Sequence, residues 1–169
     1  MIRSSRADDH EWIRATAARV YQDLGDYGTI IPSWLEHPGV MAFVDDGDGS
    51  ELRGFILVGF YTPKSTRPAT RPTVAEPRRA GSCVADLLAI AVAPTHQRHG
   101  VGRALLSYAV DVARAASAER PVPEIRLTVS EDNRVARSLF ERTGFRVLDE
   151  DYGNYDGGQR AIRMSLALE

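Results

Sequence analysis

Residues 86–106, D-L-L-A-I-A-V-A-P-T-H-Q-R-H-G-V-G-R-A-L-L, constrain this chain more than any other stretch. Leu87 to Val92 is an apolar run of strand length. Pro94 has no N–H to give a ladder, so the strand is expected to end near it. Gly100 and Gly102 follow, and then Val101, Leu105, Tyr108, Val112 and Ala116 recur at helical spacing. The reading is strand, glycine-bearing turn, helix. A helix that begins at Gly100 to Gly102 presents unpaired N–H groups and the positive end of its dipole to whatever precedes it. Glycines there remove the Cβ atoms that would hold an anion away. Arg98 and Arg103 add positive charge on both sides. The combination suits a phosphate or pyrophosphate.

Several phosphate-binding patterns do not fit. A Walker loop needs a lysine that this turn lacks, and Gly100-Val101-Gly102-Arg103-Ala104-Leu105 stops one glycine short of a dinucleotide fingerprint. What remains is Gln97-Arg98-His99-Gly100-Val101-Gly102, preceded by Ile90-Ala91-Val92-Ala93-Pro94. This resembles the coenzyme A motif [QR]-x-x-G-x-[GA] of the GNAT N-acetyltransferase superfamily. Asn133, Ala136, Phe140 and Gly144-Phe145 extend the resemblance, falling where that superfamily has N-x-x-A-x-x-[LF]-[YF]-x-x-x-G-F. The phrasing is nearest to the ribosomal-protein alanine N-acetyltransferase branch. Small-molecule acetyltransferases share it, so the resemblance carries no particular acceptor.

Size and charge are those of an ordinary globular chain. The chain has 169 residues, 43% of them hydrophobic and 26% charged, which suits one domain over residues 1–169. A net charge of −2 gives no general affinity for nucleic acid or anionic membrane. The single cysteine, Cys83, allows no internal disulfide and suits a reducing, cytoplasmic setting. The first ten residues lack the apolar core of a signal peptide, and the longest apolar run is too short to span a bilayer. His96 and His99 have no carboxylate or cysteine beside them, so no metal site is expected. A homodimer is left open.

Taken in order, Trp12, Ile13, Thr16, Val20 and Leu24 predict a helix that starts after Asp8 and Asp9 and stops at Gly25 to Gly28. Ile30 to Leu35 predicts a second, ended by His37-Pro38-Gly39. Val40 to Val44 and Leu52 to Tyr61 read as a hairpin around Asp45-Asp46-Gly47-Asp48-Gly49-Ser50. Residues 62–81 hold four prolines, five basic residues and one acid, without periodicity. They read as a mobile insertion: either a solvated loop or a lid whose charge of about +4 attracts an acidic acceptor. Ile125, Leu127 and Val129 alternate with polar residues as a strand. Asn133 can cap a helix with an inner face of Val135, Ala136, Leu139, Phe140 and Thr143, and Gly144 can end it. Phe145 to Leu148 and a final alternation, Ile162, Met164, Leu166 and Leu168, complete an α/β architecture. It is a mixed, mainly antiparallel sheet flanked by helices, as in the GNAT fold.

The resemblance implies acetyl-CoA as co-substrate, with direct attack of a primary amine on its thioester. The acceptor would be a small-molecule amine or a peptide N-terminus. Backbone N–H groups of Gln97, Arg98, His99, Gly100, Val101, Gly102 and Arg103 would hold the pyrophosphate, and Asn133 and Phe140 would flank the cofactor. Ile90, Ala91 and Val92 would pair with the pantetheine arm through their main chain, and an N–H near Ala91 or Val92 would stabilise the oxyanion. The attacking amine needs a base. Asp86 is the only charge from Cys83 to Ala93 and lies eleven residues before Gln97, as the catalytic carboxylate does in the histone-acetylating members. It could equally be a structural aspartate paired with Arg78 or Arg79. Many members have a tyrosine acid where this chain has Phe140, and the alanine-acetylating branch has a glutamate where it has Thr128. Tyr152 and Tyr155 are the substitutes. The missing tyrosine also keeps open a non-catalytic, coenzyme A-binding sensor or partner domain.

Overall fold

The computed structural model describes residues 1–62 and 82–168, so the expected insertion at 62–81 lies, Thr62 apart, outside the described residues. The order is β1 Ile2–Ser4, α1 His10–Val20, α2 Tyr27–Glu36, β2 Val40–Asp45, β3 Gly54–Tyr61, β4 Val84–Val92, α3 Val101–Ala116, β5 Glu124–Ser130, α4 Arg134–Thr143, β6 Arg146–Asp149 and β7 Ala161–Ala167. The strands form one sheet in the order β1-β2-β3-β4-β5-β7-β6. Every neighbouring pair is antiparallel except β4–β5, which is parallel. Among the described residues no helix is long and apolar enough to cross a membrane, and no group of metal-binding side chains occurs.

The expected hairpin is β2–β3. Its turn is organised by Asp45, which accepts from Gly47 N–H at 2.9 Å and from the Arg53 guanidinium at 2.9 Å. Strand β1 was not anticipated, since three residues are too few to show alternation. It pairs with β2, and Arg3 ties it to Asp46 and Asp9, each at 2.7 Å. Helix α1 ends at Val20, one turn earlier than its periodicity suggests, and Val20 is 40% exposed. Tyr21 then caps the helix, its N–H on Ala17 C=O. Helix α2 starts earlier than expected, at Tyr27, because Asp26 caps it through Thr29 N–H.

Two apolar clusters hold the sheet. On one face Ile13 and Ala17 of α1 and Ile31 of α2 pack on Val44, Phe55, Leu57, Ala89 and Ala91. On the other, α3 and Phe140 of α4 pack on Phe43, Ile56, Val58, Ala85, Leu87, Leu127 and Met164. The expected inner face of α4 needs one correction. Val135 is 80% exposed, since it stands in the first turn, on the shoulder of the stripe formed by Ala136, Leu139 and Phe140. Asn133 does cap α4, accepting from Ala136 N–H at 3.1 Å, and Gly144 ends it at φ +105°.

Strand β4 changes face within its length. Leu57 faces Ala89 while Val58 faces Leu87, so Leu88 is an extra residue and β4 is bulged there. Ala85 and Leu87 therefore contribute to the α3 cluster, but Ala89 and Ala91 to the α1 cluster. At the start of β3, Gly54 lets the sheet and α3 approach closely. A Cβ there would stand 2.9 Å from Ala91 C=O and 2.9 Å from Leu105 Cδ1. Gly54→Val is expected to destabilise the fold by about 1–3 kcal/mol through overpacking. Calorimetry should record a drop of several degrees in Tm, and an unchanged Tm would refute the close-packing role.

Candidate active site

Strands β4 and β5 pair only at Ala85–Ile125, Asp86–Arg126 and Leu87–Leu127. Both continue, to Val92 and Ser130, without further pairing. A notch therefore opens in the sheet beyond Leu87. The N–H and C=O of a strand residue point to one side and alternate along the chain. The Tyr21 hydroxyl meets both groups of Ile90: it accepts from Ile90 N–H at 3.0 Å and donates to Ile90 C=O at 2.5 Å. Ile90 thus faces the notch, as does Val92, whose C=O accepts from Gln97 Nε2 at 3.2 Å. Ala91, between them, turns its main chain to Phe55 of β3. Of the three residues expected to pair with a pantetheine arm, Ile90 and Val92 present main-chain groups to the notch and Ala91 does not.

At the top of the notch the chain turns through Pro94–His96 into α3. Arg98 and Gly100 take left-handed conformations, at φ +64° and +82°. The first intrahelical bond runs from Ala104 N–H to Gly100 C=O. The N–H groups of Val101, Gly102 and Arg103 therefore have no carbonyl one turn back. A Cβ on Gly100 would meet nothing within 4 Å, and one on Gly102 only Leu139 and Val92, each at 3.6 Å. Gln97, Arg98, His99 and Arg103 are exposed around this end, and His96 contacts Glu51 at 2.9 Å. The donors, the open space and the cations fit a pyrophosphate. Asn133 stands at the start of α4, its side chain engaged in the cap. Phe140 is buried, with its ring 5.9 Å from Phe145.

Below the notch, on the face covered by α1 and α2, lies a polar group that sequence reasoning only half anticipated. Asp86 is bound by Arg163 of β7, through Nη2 at 2.7 Å and Nη1 at 3.2 Å. Arg78 and Arg79, named as candidate partners in the structural reading of Asp86, lie outside the described residues. Arg163 crosses over β5 and also donates to Thr128 Oγ1 at 2.9 Å. Its guanidinium lies 5.0 Å from the centre of the Tyr152 ring. Burial pushes the Asp86 carboxyl above the ordinary aspartate range, against the opposing pull of Arg163 and Arg126. Tyr155 is raised mainly by burial and secondarily by Tyr27 and Tyr21. Tyr21 stacks on Tyr27 with ring centres 4.5 Å apart, and Tyr27 meets Trp34 edge-on at 6.1 Å.

The fold brings Asp86 and Tyr152 together through Arg163, and Tyr155 is half-buried within electrostatic reach of Tyr27 and Tyr21. Arg163 and Tyr21 were missed. Arg163 had a signal, since it is the one charge in the alternation Ile162, Met164, Leu166 and must face away from that core. Nothing in the sequence states that β7 lies one strand from β4. Tyr21 had no signal, because its partner Ile90 is 69 residues away and only the fold brings the two together.

The chain as a whole has relatives among known proteins. The chain is similar to the mycothiol acetyltransferase of Thermobifida fusca (strain YX), at 28% identity over 85% of this chain and 42% of that protein. It is similar to the [ribosomal protein bS18]-alanine N-acetyltransferase of Escherichia coli (strain K12), at 37% identity over 50% of this chain and 56% of that protein. The chain thus spans about half the length, or less, of these curated relatives. Arabidopsis thaliana NAA60 in complex with acetyl-CoA shares the fold, with a TM-score of 0.76 at 16% identity over 99% of this chain and 98% of that one. The E. coli ribosomal-protein-S18-alanine N-acetyltransferase does so with a TM-score of 0.64 at 22% identity, over 100% and 94%. Residues 5–145 match the model of the acetyltransferase (GNAT) family, and the chain belongs to that family.

Proposed function

We propose that this protein is an acetyl-CoA-dependent N-acetyltransferase that moves the acetyl group to a primary amine by direct attack. The observation that carries this is the notch beyond Leu87, with the open N-terminus of α3 at its head. A pyrophosphate would rest on the N–H groups of Val101, Gly102 and Arg103, beside Arg98. The pantetheine arm would complete the sheet where β5 leaves β4, on the C=O of Ile90 and the main chain of Val92, which leaves Ile90 N–H to the acyl end. The acceptor amine, of a small molecule or a peptide N-terminus, would come from the side of Asp86, Tyr152 and Tyr155. The printed names of the relatives point to different acceptors, mycothiol and a ribosomal-protein alanine among them. Family membership therefore selects no acceptor. The free, buried Cys83 suits action in the reducing cytoplasm.

In this reading Asp86 removes the amine proton, directly or through water. Its raised pKa supports the role, since a base works best with a pKa near the operating pH. Arg163 and Thr128 fix its orientation. As the amine nitrogen bonds the acyl carbon, the carbon–sulfur bond breaks and the thiolate leaves. One observation favours a second reading, a coenzyme A-binding domain without catalysis: Phe140 is a core side chain with no proton to give. Release of free thiol from acetyl-CoA across a panel of amines separates the two.

Gly102→Glu tests the cofactor site. A carboxylate is welcome at a helix N-terminus, and the added Cβ meets only ordinary contacts, so the variant should fold. The unsubstituted protein at a hundredfold excess of coenzyme A over its Kd should gain about 2.7 kcal/mol. The variant should gain none. Equal stabilisation of both proteins would refute the assignment.

Asp86→Asn is expected to lower kcat by roughly 10²–10⁴ while coenzyme A affinity holds. It should also lower Tm, because the Arg163 guanidinium loses its buried counter-charge. Asp86→Asn with Arg163→Gln removes both charges and should recover Tm without recovering kcat. The base must be deprotonated, so kcat/KM of the unsubstituted enzyme should rise with pH through an acidic limb above the usual aspartate range, and the limb should vanish in Asp86→Asn. Recovered turnover in the double variant would assign Asp86 a structural role only.

A further inference from the structure

The Tyr21 hydroxyl holds an unusual place. It is an acceptor for Ile90 N–H and a donor to Ile90 C=O, on the β5-side edge of β4 beyond Leu87, which β5 leaves uncovered. The two residues are 69 apart in sequence, and Tyr21 is the C-cap residue of α1. The ring is held by its stack on Tyr27, which itself rests edge-on against Trp34. Burial pushes the phenol far above the ordinary tyrosine range, so the hydroxyl stays protonated at any working pH. It is a fixed, neutral donor within one hydrogen bond of a main-chain N–H that faces the notch.

An acyl carbonyl in the notch needs donors where its oxygen gains charge, and preorganised donors in a site shielded from water serve best. Phe140 supplies none, and a lone main-chain N–H is a minimal oxyanion site. The Tyr21 oxygen now accepts the Ile90 N–H at 3.0 Å, the distance at which an oxyanion would accept it. We propose that Tyr21 is a further catalytic residue: the acyl oxygen of the thioester takes its place on Ile90 N–H, and the hydroxyl then donates to that oxygen as a second oxyanion donor. The inference rests on the acetyltransferase reading above. No proton is transferred at this position. The tyrosine lends a hydrogen bond that strengthens as the carbonyl oxygen becomes negative and weakens when the carbonyl re-forms and the thiolate departs. Asp86 deals separately with the amine proton.

The test reads the carbonyl itself. Acetyl-CoA labelled with ¹³C at the carbonyl, bound without an acceptor, gives an infrared band that moves to lower frequency as donors approach the oxygen. Relative to the unsubstituted protein, Tyr21→Phe should bind the labelled acetyl-CoA with equal or greater affinity, because the competing hydroxyl is gone. Its carbonyl band should lie at higher frequency. Turnover with any amine that the panel identifies should fall by about 10²-fold, the scale of one lost oxyanion donor. Should Tyr21→Phe fail to fold, 3-fluorotyrosine at position 21 keeps the ring and hydroxyl but donates more strongly, and should move the band to lower frequency. A band unmoved in whichever variant folds overturns the inference while leaving the acetyltransferase reading intact. Absence of acetyl-CoA binding by the unsubstituted protein overturns both.

Discussion

The extra residue at Leu88 is the constraint on which the site depends. A regular β4 would keep one set of side chains on each face from end to end. With the bulge, Ala85 and Leu87 serve the α3 core while Ala89 and Ala91 serve the α1 core. Asp86, ahead of the bulge, then shares a face with Ala89 and Ala91 beyond it. The same extra residue turns the main chain of Ile90 and Val92 away from β3 and into the notch. A polar side chain, an apolar seat for α1 and an open hydrogen-bonding edge thus come from one strand. Unpaired edge groups of this kind are costly when buried, which is why Tyr21 and Gln97 engage them.

Electrostatics divide the site into two regions of different character. At the α3 N-terminus the positive charge is exposed, carried by Arg98 and Arg103 together with unpaired N–H groups. Such a field attracts an anion from solvent and is weakened by salt. Below the notch the charges are buried and paired, Asp86 with Arg163. A buried ion pair pays a large desolvation cost, so its presence argues for positioning more than for stability. Arg163 is well placed for that. It spans β5, takes Thr128 on the way and presents its guanidinium to the Tyr152 ring.

The scaffold keeps these regions in register through close contacts. Gly54 allows β3, Ala91 and Leu105 to meet without a side chain between them, so the start of α3 is fixed against the strand it follows. Leu139 of α4 reaches the same helix end near Gly102. The head of the notch is thereby held by three elements that are far apart in the chain.

Much of this was legible in the sequence, because it depends on local chemistry. Pro94, Gly100 and Gly102 determined the strand–turn–helix unit and its open helix end, and Asn133 and Gly144 determined the limits of α4. Each acts on its own backbone within one turn. Asp86 stood out as a lone charge in an apolar run, but its partner did not. Arg163 lies 77 residues away, and only the strand order, with β5 between β4 and β7, brings the two together. The bulge at Leu88 was equally invisible, since an extra residue in one strand is defined only against its neighbour. Tyr21 shows the same limit: the apolar spacing past Val20 favoured a longer helix, and tertiary packing ended it a turn early. Local propensity decided where elements begin. Register, strand order and the burial that shifts Asp86 and Tyr21 belong to the tertiary structure, because they arise from surfaces that meet only once the chain has folded.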